Sequence, residues 1–213
     1  DKALTYSDND LDEIKELASA PKVKAIGEIG LDFHYGKDSK AEQIELFRKQ
    51  IRIANELMMP IMIHTREADA ITRDILIEEG AFSEARKGHF PKRPDGQEGM
   101  VADARVQLHC YSGSLELARE YVKLGATISI GGPLTFKNAR KTVEVLEGIP
   151  LQFIMSETDA PFLAPEPKRG RPNKTPYIEH VVRRMALLKG IEFDEAVRIT
   201  SENARRFFNI EAL

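Results

Sequence analysis

The chain has 213 residues, a length that fits one large domain or two small ones. Hydrophobic residues make up 42% and charged residues 31%, which excludes a disordered chain and a membrane-embedded one. Acidic residues outnumber basic ones by 34 to 31, for a formal net charge of -3. That balance argues against a broad surface that wraps duplex DNA, but it leaves room for a small catalytic cleft.

The cysteine content and the first residues of the chain exclude further kinds of protein and of metal site. Cys110 is the single cysteine, so an internal disulfide and a multi-cysteine zinc site are excluded. No apolar run approaches the ~18 residues of a membrane-spanning helix, and the first residues show no signal-peptide pattern. We therefore expect a cytoplasmic protein with no membrane partner. Because the sequence begins at Asp1 without a Met, we also expect the gene product to start earlier.

Five short apolar runs, each followed by an amphipathic segment, set the organisation of the chain. Their lengths and β-branched content favour buried strands over helices. Alternating strands and helices predict an α/β fold with a parallel sheet, here a single domain over residues 1–213. The runs are residues 23–30, 60–64, 106–110, 126–132 and 151–159.

The segments between the runs carry helix signals. Ser39 with Glu42 three residues later predicts a capping box at a helix start. A Thr-Pro pair at 175–176 predicts another helix start, and Asp194 opens the last helical stretch. Glycines in left-handed C-caps are expected to close three helices. They are Gly80, Gly125 and Gly190.

One segment breaks this alternation. Residues 86–105 are rich in proline, glycine and charge, and we interpret them as a long surface loop inserted before the third run.

Four of the predicted strands end in a side chain that could bind a metal. Taken singly, each has a structural explanation: a lysine partner for Glu28, a backbone carbonyl for His64, a turn cap for Asp159. Because the carboxyl ends of parallel strands meet at one edge of a sheet, their repetition there favours a divalent-metal site. The four residues are Glu28, His64, His109 and Asp159.

Nearby residues fit secondary roles. Glu157 lies two residues before Asp159 and therefore on the same strand face, where it could orient a metal ligand or pair with an arginine. Cys110 adjoins His109 and should point to the opposite face, which disfavours a thiol–imidazole pair. A G-x-S-x-G elbow, a G-x-G-x-x-G loop and a Walker motif are all absent from the sequence, so serine hydrolases and nucleotide cofactors have no support.

Six motifs occur together in a fixed order, and together they resemble the TatD family of metal-dependent deoxyribonucleases, which is similar to the amidohydrolase-type TIM barrels. The likeness runs from about Leu11 to the C-terminus. The motifs are GEIGLD at 27–32, PIMIHTR at 60–66, HCYSG at 109–113, SIGG at 129–132, ETDAPFL at 157–163 and SENARRFF at 201–208.

The resemblance implies a (β/α)8 TIM barrel that holds two divalent cations (Zn, Mn or Mg) and hydrolyses phosphodiester bonds of DNA, often from the 3′ end. It implies that Glu28 bridges the two metals and that His64 and His109 bind the second. It implies that Asp159 binds the first metal and accepts a proton from the attacking water. Arg66 and a basic loop at 168–174 that contains Arg171 and Asn173 are then candidates for phosphate contacts.

The sequence departs from the family in one respect. The family's first strand carries H-x-H, which supplies two ligands of the first metal, and this sequence contains no H-x-H. The five predicted strands correspond to the last five of eight. Either the chain is a fragment of a full-length enzyme or the natural protein is a shortened relative. Beside the deoxyribonuclease, two functions stay open: a hydrolase of small esters, amides or phosphoesters, and a non-catalytic relative.

Overall fold

The computed structural model describes residues 3–210. The chain forms two compact units, and both are discontinuous in sequence. Of the described residues, unit 1 contains 3–92 and 102–108, and unit 2 contains 93–101 and 109–210.

Helices and parallel strands alternate through most of the chain, as the apolar runs predict. The strands within residues 3–210 are β1 (Ile26–Asp32), β2 (Ile61–Arg66), β3 (Arg93–Pro94), β4 (Met100–Val101), β5 (Val106–Leu108), β6 (Ala126–Ile130) and β7 (Ile154–Ser156). The α-helices within the same residues are α1 (Asp8–Ala18), α2 (Lys40–Glu56), α3 (Asp69–Glu78), α4 (Glu84–His89), α5 (Leu115–Leu124), α6 (Arg140–Gly148), α7 (Ile178–Lys189) and α8 (Phe193–Phe208). No helix in this part of the chain is both long enough and apolar enough to cross a membrane.

Unit 1 is built on a parallel sheet in the order β1–β2–β5. Its strand residues Leu31, Ile63 and Leu108 are fully buried, and α2 packs on β1 with its buried Phe47 and Ile51. All three residues of β5 are buried, as in a strand covered on both faces, whereas β1 and β2 also carry exposed or half-buried residues.

Close approach of two strands makes one glycine of unit 1 obligatory. Gly30 pairs with His64 in the β1–β2 register and has a φ of 143°. A Cβ at this position would lie 1.9 Å from the carbonyl oxygen of His64. Only glycine therefore allows β2 to lie this close to β1.

Unit 2 contains the parallel pair β6–β7, in which Ser129 is opposite Met155. Helix α8 is attached to this pair by the buried Asn203, whose Nδ2 donates to the carbonyl oxygens of Leu151 (2.8 Å) and Ile154 (2.7 Å). The asparagine thus satisfies buried backbone acceptors beside the strand.

The predicted glycine caps are confirmed. Gly80, Gly125 and Gly190 have φ values of 74°, 102° and 66°, at or just beyond the ends of α3, α5 and α7. The helix predicted from Pro176 is preceded by a short 3-10 turn over Thr175–Tyr177. The last helix begins at Phe193, beside the predicted Asp194.

The predicted capping box at Ser39 is wrong. Ser39 does precede α2, but its side chain makes no capping bond. Its hydroxyl donates to the Gly36 carbonyl (3.3 Å) and accepts a bond from Gln43 (3.1 Å), so its hydrogen-bonding groups are occupied inside the preceding turn. A capping box is present instead at Ser7 and Asp10, at the start of α1.

Residues 86–105, which the composition predicts as a long surface loop, are not irregular throughout. The segment contains the end of α4 and the antiparallel pair β3–β4. It also contains arginines that are almost completely buried. Glycine and proline here mark turns around short elements, which composition alone does not distinguish from an irregular loop.

Two of these arginines are held by core groups. In unit 1, the guanidinium of Arg86 donates to the carbonyl oxygens of Ala54 (3.1 Å), Met59 (2.9 Å) and Ala104 (3.0 and 3.2 Å). Burial lowers its pKa to about 10, so the side chain remains a cation at neutral pH. In unit 2, Arg93 donates to Thr127 Oγ1 (2.9 Å) and lies over the ring of Phe153, 4.5 Å from its centroid. Both arginines are part of the core rather than of a surface.

Candidate active site

Strands β1 and β2 of unit 1 bring three polar side chains together. Glu28 and His64 were predicted from the sequence, and Asp32 was not. Nδ1 of His64 lies 2.8 Å from Oε1 of Glu28, and Nε2 lies 3.4 Å from Oδ2 of Asp32. We call these three residues the His64 cluster. The hydrogen bond that His64 donates to Glu28 raises the pKa of His64 above its ordinary value, although burial acts against that rise. The imidazole is thus placed between two carboxylates.

Asp32 also holds the turn that follows β1. Its Oδ1 accepts backbone N–H bonds from His34 and Tyr35, both at 2.9 Å. Burial alone would raise the pKa of Asp32, but these two bonds together with His64 outweigh it and lower the pKa. One carboxylate therefore contacts the imidazole and fixes the backbone beside it.

A cavity of about 570 Å³ opens at the His64 cluster. Its lining includes the three cluster residues together with Tyr35, Gln43 and Gln50. That volume lies within the range of small-molecule sites, and its few convergent polar groups are what such sites use to orient a ligand.

Unit 2 contains a second histidine with two carboxylates. Nδ1 of His109 lies 2.7 Å from Oε2 of Glu157, and Nε2 lies 3.6 Å from Oδ1 of Asp159. We call these three residues the His109 cluster. In a neutral imidazole, the bond to Glu157 would keep the proton on Nδ1 and leave the lone pair on Nε2, the nitrogen nearer Asp159.

Glu157 is fixed by two further donors of unit 2. Ser129 Oγ donates to Oε2 (2.5 Å), and the backbone N–H of Cys110 donates to Oε1 (2.6 Å). The pairing of Glu157 with His109 favours the role of orienting a ligand over the alternative of an arginine pair. Cys110 follows the end of β5 and has a φ of 43°, so the strand alternation assumed for it does not apply.

The donor chemistry of both clusters fits a divalent cation, although within residues 3–210 no three His, Cys, Asp or Glu side chains form a ready-made group that could hold a metal ion. Two ligand atoms about 2.1 Å from a tetrahedral cation lie roughly 3.4 Å apart. The Nε2–carboxylate separations of 3.4 Å at His64 and 3.6 Å at His109 are close to that value. Imidazole with carboxylate suits Zn or Mn and, less well, Mg.

The candidate phosphate-binding residues differ in exposure. Arg66 and Arg171 are exposed. Asn173 is 5% exposed, and its amide donates to the Phe162 carbonyl and accepts from the Lys174 N–H, both at 2.9 Å. The side chain of Asn173 is therefore engaged in hydrogen bonds within the loop of unit 2.

Sequence reasoning missed Asp32, Tyr35 and Gln43. The signal for Asp32 was available, since it lies four residues after Glu28 on one strand and so on the same face. Tyr35 and Gln43 belong to a turn and a helix, whose side chains reach the cavity only through the fold.

Comparison with known proteins identifies the family. A family model described as "TatD related DNase" matches residues 2–209. The chain is 44% identical over 208 residues to the uncharacterized metal-dependent hydrolase YabD of Bacillus subtilis, covering 98% of this chain and 74% of that protein. It is 36% identical over 203 residues to the uncharacterized metal-dependent hydrolase YcfH of Escherichia coli K12, covering 95% and 69%.

Solved structures agree with this assignment. The crystal structure of YJJV, a TatD homolog from Escherichia coli K12, matches with a TM-score of 0.82 at 26% identity, covering 98% of this chain and 73% of that one. A TatD family hydrolase from Entamoeba histolytica shares the fold, with a TM-score of 0.72 at 21% identity over 93% of this chain and 68% of that one. The predicted α/β fold of the TIM-barrel type is confirmed. The chain belongs to the TatD family and is a metal-dependent hydrolase.

Proposed function

We propose that this protein hydrolyses phosphodiester bonds of DNA, preferentially at 3′ ends, with two divalent cations. One observation carries the proposal: each unit holds a histidine with one ring nitrogen at 2.7 or 2.8 Å from a carboxylate and the other facing a second carboxylate at 3.4 or 3.6 Å. The family description, which names a DNase, supplies the substrate class.

Each unit supplies candidate ligands. Glu28 and His64 in unit 1, with Asp32 facing Nε2 of His64, and His109 and Asp159 in unit 2 would hold the cations. When bound, such cations act as Lewis acids toward the phosphate and lower the pKa of a bound water toward ~7.

The protein's own groups supply the remaining steps. Asp159, about a third exposed, accepts the proton of the attacking water. Glu157 keeps the His109 ring in one orientation and one tautomer. Exposed Arg66 and Arg171 offer bidentate donors to the anionic backbone of the substrate, and Asn173 supports the loop that carries Arg171.

The test is cleavage of a 5′-labelled single-stranded oligonucleotide with added Mg, Mn or Zn. Activity should be lost on chelation and in Asp159→Ala, and retained in Asp12→Ala, which removes an exposed carboxylate of α1. Products shortened one nucleotide at a time would show attack from the 3′ end. Cleavage that survives both chelation and Asp159→Ala would contradict the mechanism.

The cavity favours a second candidate, a hydrolase of small phosphoesters, esters or amides, since its 570 Å³ is enough for a small molecule. Arg171→Ala separates the two. A DNA enzyme should lose far more activity on an oligonucleotide than on bis(p-nitrophenyl) phosphate, whereas a small-molecule hydrolase should lose little on either. A protein purified with no bound metal and unable to bind any would instead support a non-catalytic relative.

A further inference from the structure

Tyr35 is a large aromatic side chain in an exposed position. It is 78% exposed, yet it lines the cavity at the His64 cluster. An open aromatic face at the mouth of a polar cavity is available to a planar ligand group.

The backbone that carries Tyr35 is fixed. The N–H groups of His34 and Tyr35 donate to Asp32 Oδ1, and the N–H of Gly36 donates to the Asp32 carbonyl (3.1 Å). Gln43 of α2 adds bonds to both ends of the turn: it accepts from the Asp32 N–H and donates to the Gly36 carbonyl, each at 2.8 Å. The ring is therefore presented by a rigid turn, which lowers the entropic cost of binding.

A cation lies against the ring. The guanidinium carbon of Arg66 is 4.7 Å from the centroid of Tyr35. The ring of His34 meets Tyr35 edge-on, with centroids 4.8 Å apart. Aromatic rings combined with arginine are what proteins use to bind single-stranded nucleic acid, because bases stack on the ring and phosphates pair with the guanidinium.

We propose that Tyr35 is the stacking platform for the base of the nucleotide that occupies the cavity of unit 1, with Arg66 meeting its phosphate. This inference rests on the proposed function and adds to it the contact that distinguishes a nucleotide from another phosphodiester. Since every base has a π face, the platform accepts all four bases and gives no sequence preference.

The experiment measures binding without catalysis. A 5′-fluorescein single-stranded decamer with 2-aminopurine as its 3′ nucleotide is titrated with full-length protein in EDTA, and both polarisation and 2-aminopurine fluorescence are recorded. Tyr35→Ala should weaken binding about tenfold and abolish the quenching of 2-aminopurine, and Tyr35→Phe should retain both.

A double-mutant cycle makes the contact specific. An oligonucleotide that is abasic at the 3′ nucleotide should bind the unmodified protein about tenfold more weakly, and Tyr35→Ala should cause no further loss with it. Tyr6→Ala is the matched control, because Tyr6 also packs against a cation (Lys49, 5.1 Å) in unit 1 but does not line the cavity.

The inference is overturned if Tyr35→Ala binds as well as the unmodified protein, if the two losses add, or if no binding is measurable. A thermal midpoint of Tyr35→Ala equal to that of the unmodified protein shows that the loss is not misfolding. Because the cycle is run without metal, it is independent of the cleavage assay. An unmodified protein that fails to cleave DNA with metal refutes the proposed function and leaves the binding result standing.

Discussion

The His64 and His109 clusters have the same arrangement, a histidine between two carboxylates, but they differ in burial and in the hydrogen bonds that fix them. The side chain of His109 is 12% exposed and that of its partner Glu157 is 11% exposed. The corresponding values in unit 1 are 36% for His64 and 44% for Glu28. Glu157 is fixed by a hydroxyl and a backbone N–H as well as by the histidine, whereas the His64 cluster opens onto a cavity.

This difference in burial and hydrogen bonding indicates that the two clusters have different roles. Hydrogen bonds in a buried network are stronger and position a ring closely, because the surrounding dielectric is low. The more exposed His64 cluster has less of this stabilisation, but it leaves space for a ligand. We therefore expect substitutions in the His109 cluster to act mainly on metal affinity and those around the His64 cluster to act on ligand binding as well as on metal affinity.

The largest expected effect comes from substituting a glycine at the point where β1 and β2 lie closest together. Gly30→Ala places a Cβ 1.9 Å from the His64 carbonyl and should lower the free energy of unfolding by more than about 3 kcal/mol. Gly131→Ala in unit 2 is the matched control. Its Cβ lies no closer than 3.3 Å to Glu157, so it should cost less than about 1 kcal/mol. Urea denaturation measures both, and equal losses would contradict the close strand approach in unit 1.

Glu157→Ala should have the next largest effect. It removes the acceptor of His109 Nδ1, Ser129 Oγ and the Cys110 N–H, and losses of this kind lower metal affinity about 10- to 100-fold. Calorimetric titration with Zn or Mn measures the change. Glu195→Ala, at an exposed acid of α8, should leave the affinity unaltered. Unaltered metal affinity in Glu157→Ala would show that Glu157 has no part in holding the ligand.

Substitutions of Asp32 test the His64 cluster. Asp32→Ala removes two backbone hydrogen bonds and should lower the free energy of unfolding by about 1–2 kcal/mol. Asp32→Asn retains an oxygen that can accept both bonds, so it should lose less stability. Chemical denaturation of the two variants measures the difference. Equal losses in both would contradict the role of Asp32 as the acceptor of the turn.

Ser129→Ala should have the smallest effect, since it removes one donor to Glu157 and leaves the histidine and the backbone N–H in place. We expect a loss of about 1 kcal/mol in stability and a few-fold loss in metal affinity, measured by urea denaturation and by calorimetric titration. A loss as large as that of Glu157→Ala would show that the hydroxyl, rather than the histidine, determines where the carboxylate lies.

The five strands of the parallel sheet could be predicted from the sequence because each contains buried apolar residues in a short run, and the histidines and acids stood out at the run ends. The β3–β4 pair could not, because its two-residue strands are too short to show a period. The capping box was misplaced, because the fit of Ser39 to the motif does not show that Gln43 and Gly36 already use its hydroxyl.

The site was predictable to the extent that it follows strand ends. Glu157 was found by two-residue spacing, and His109 is its observed partner. The same rule applied to Glu28 would have included Asp32. The turn at Tyr35 and its support from Gln43 depend on how α2 packs on β1, which no local pattern encodes.

The discontinuity of the two units bears on how the protein can be divided. A fragment that ends at Leu108 would contain all of unit 1 and also residues 93–101 of unit 2. In that fragment the guanidinium of Arg93 would lose Thr127 and Phe153, which compensate for its burial in the whole chain. The two clusters are therefore best studied by point substitution in the whole chain, since no single cut separates the two units that carry them.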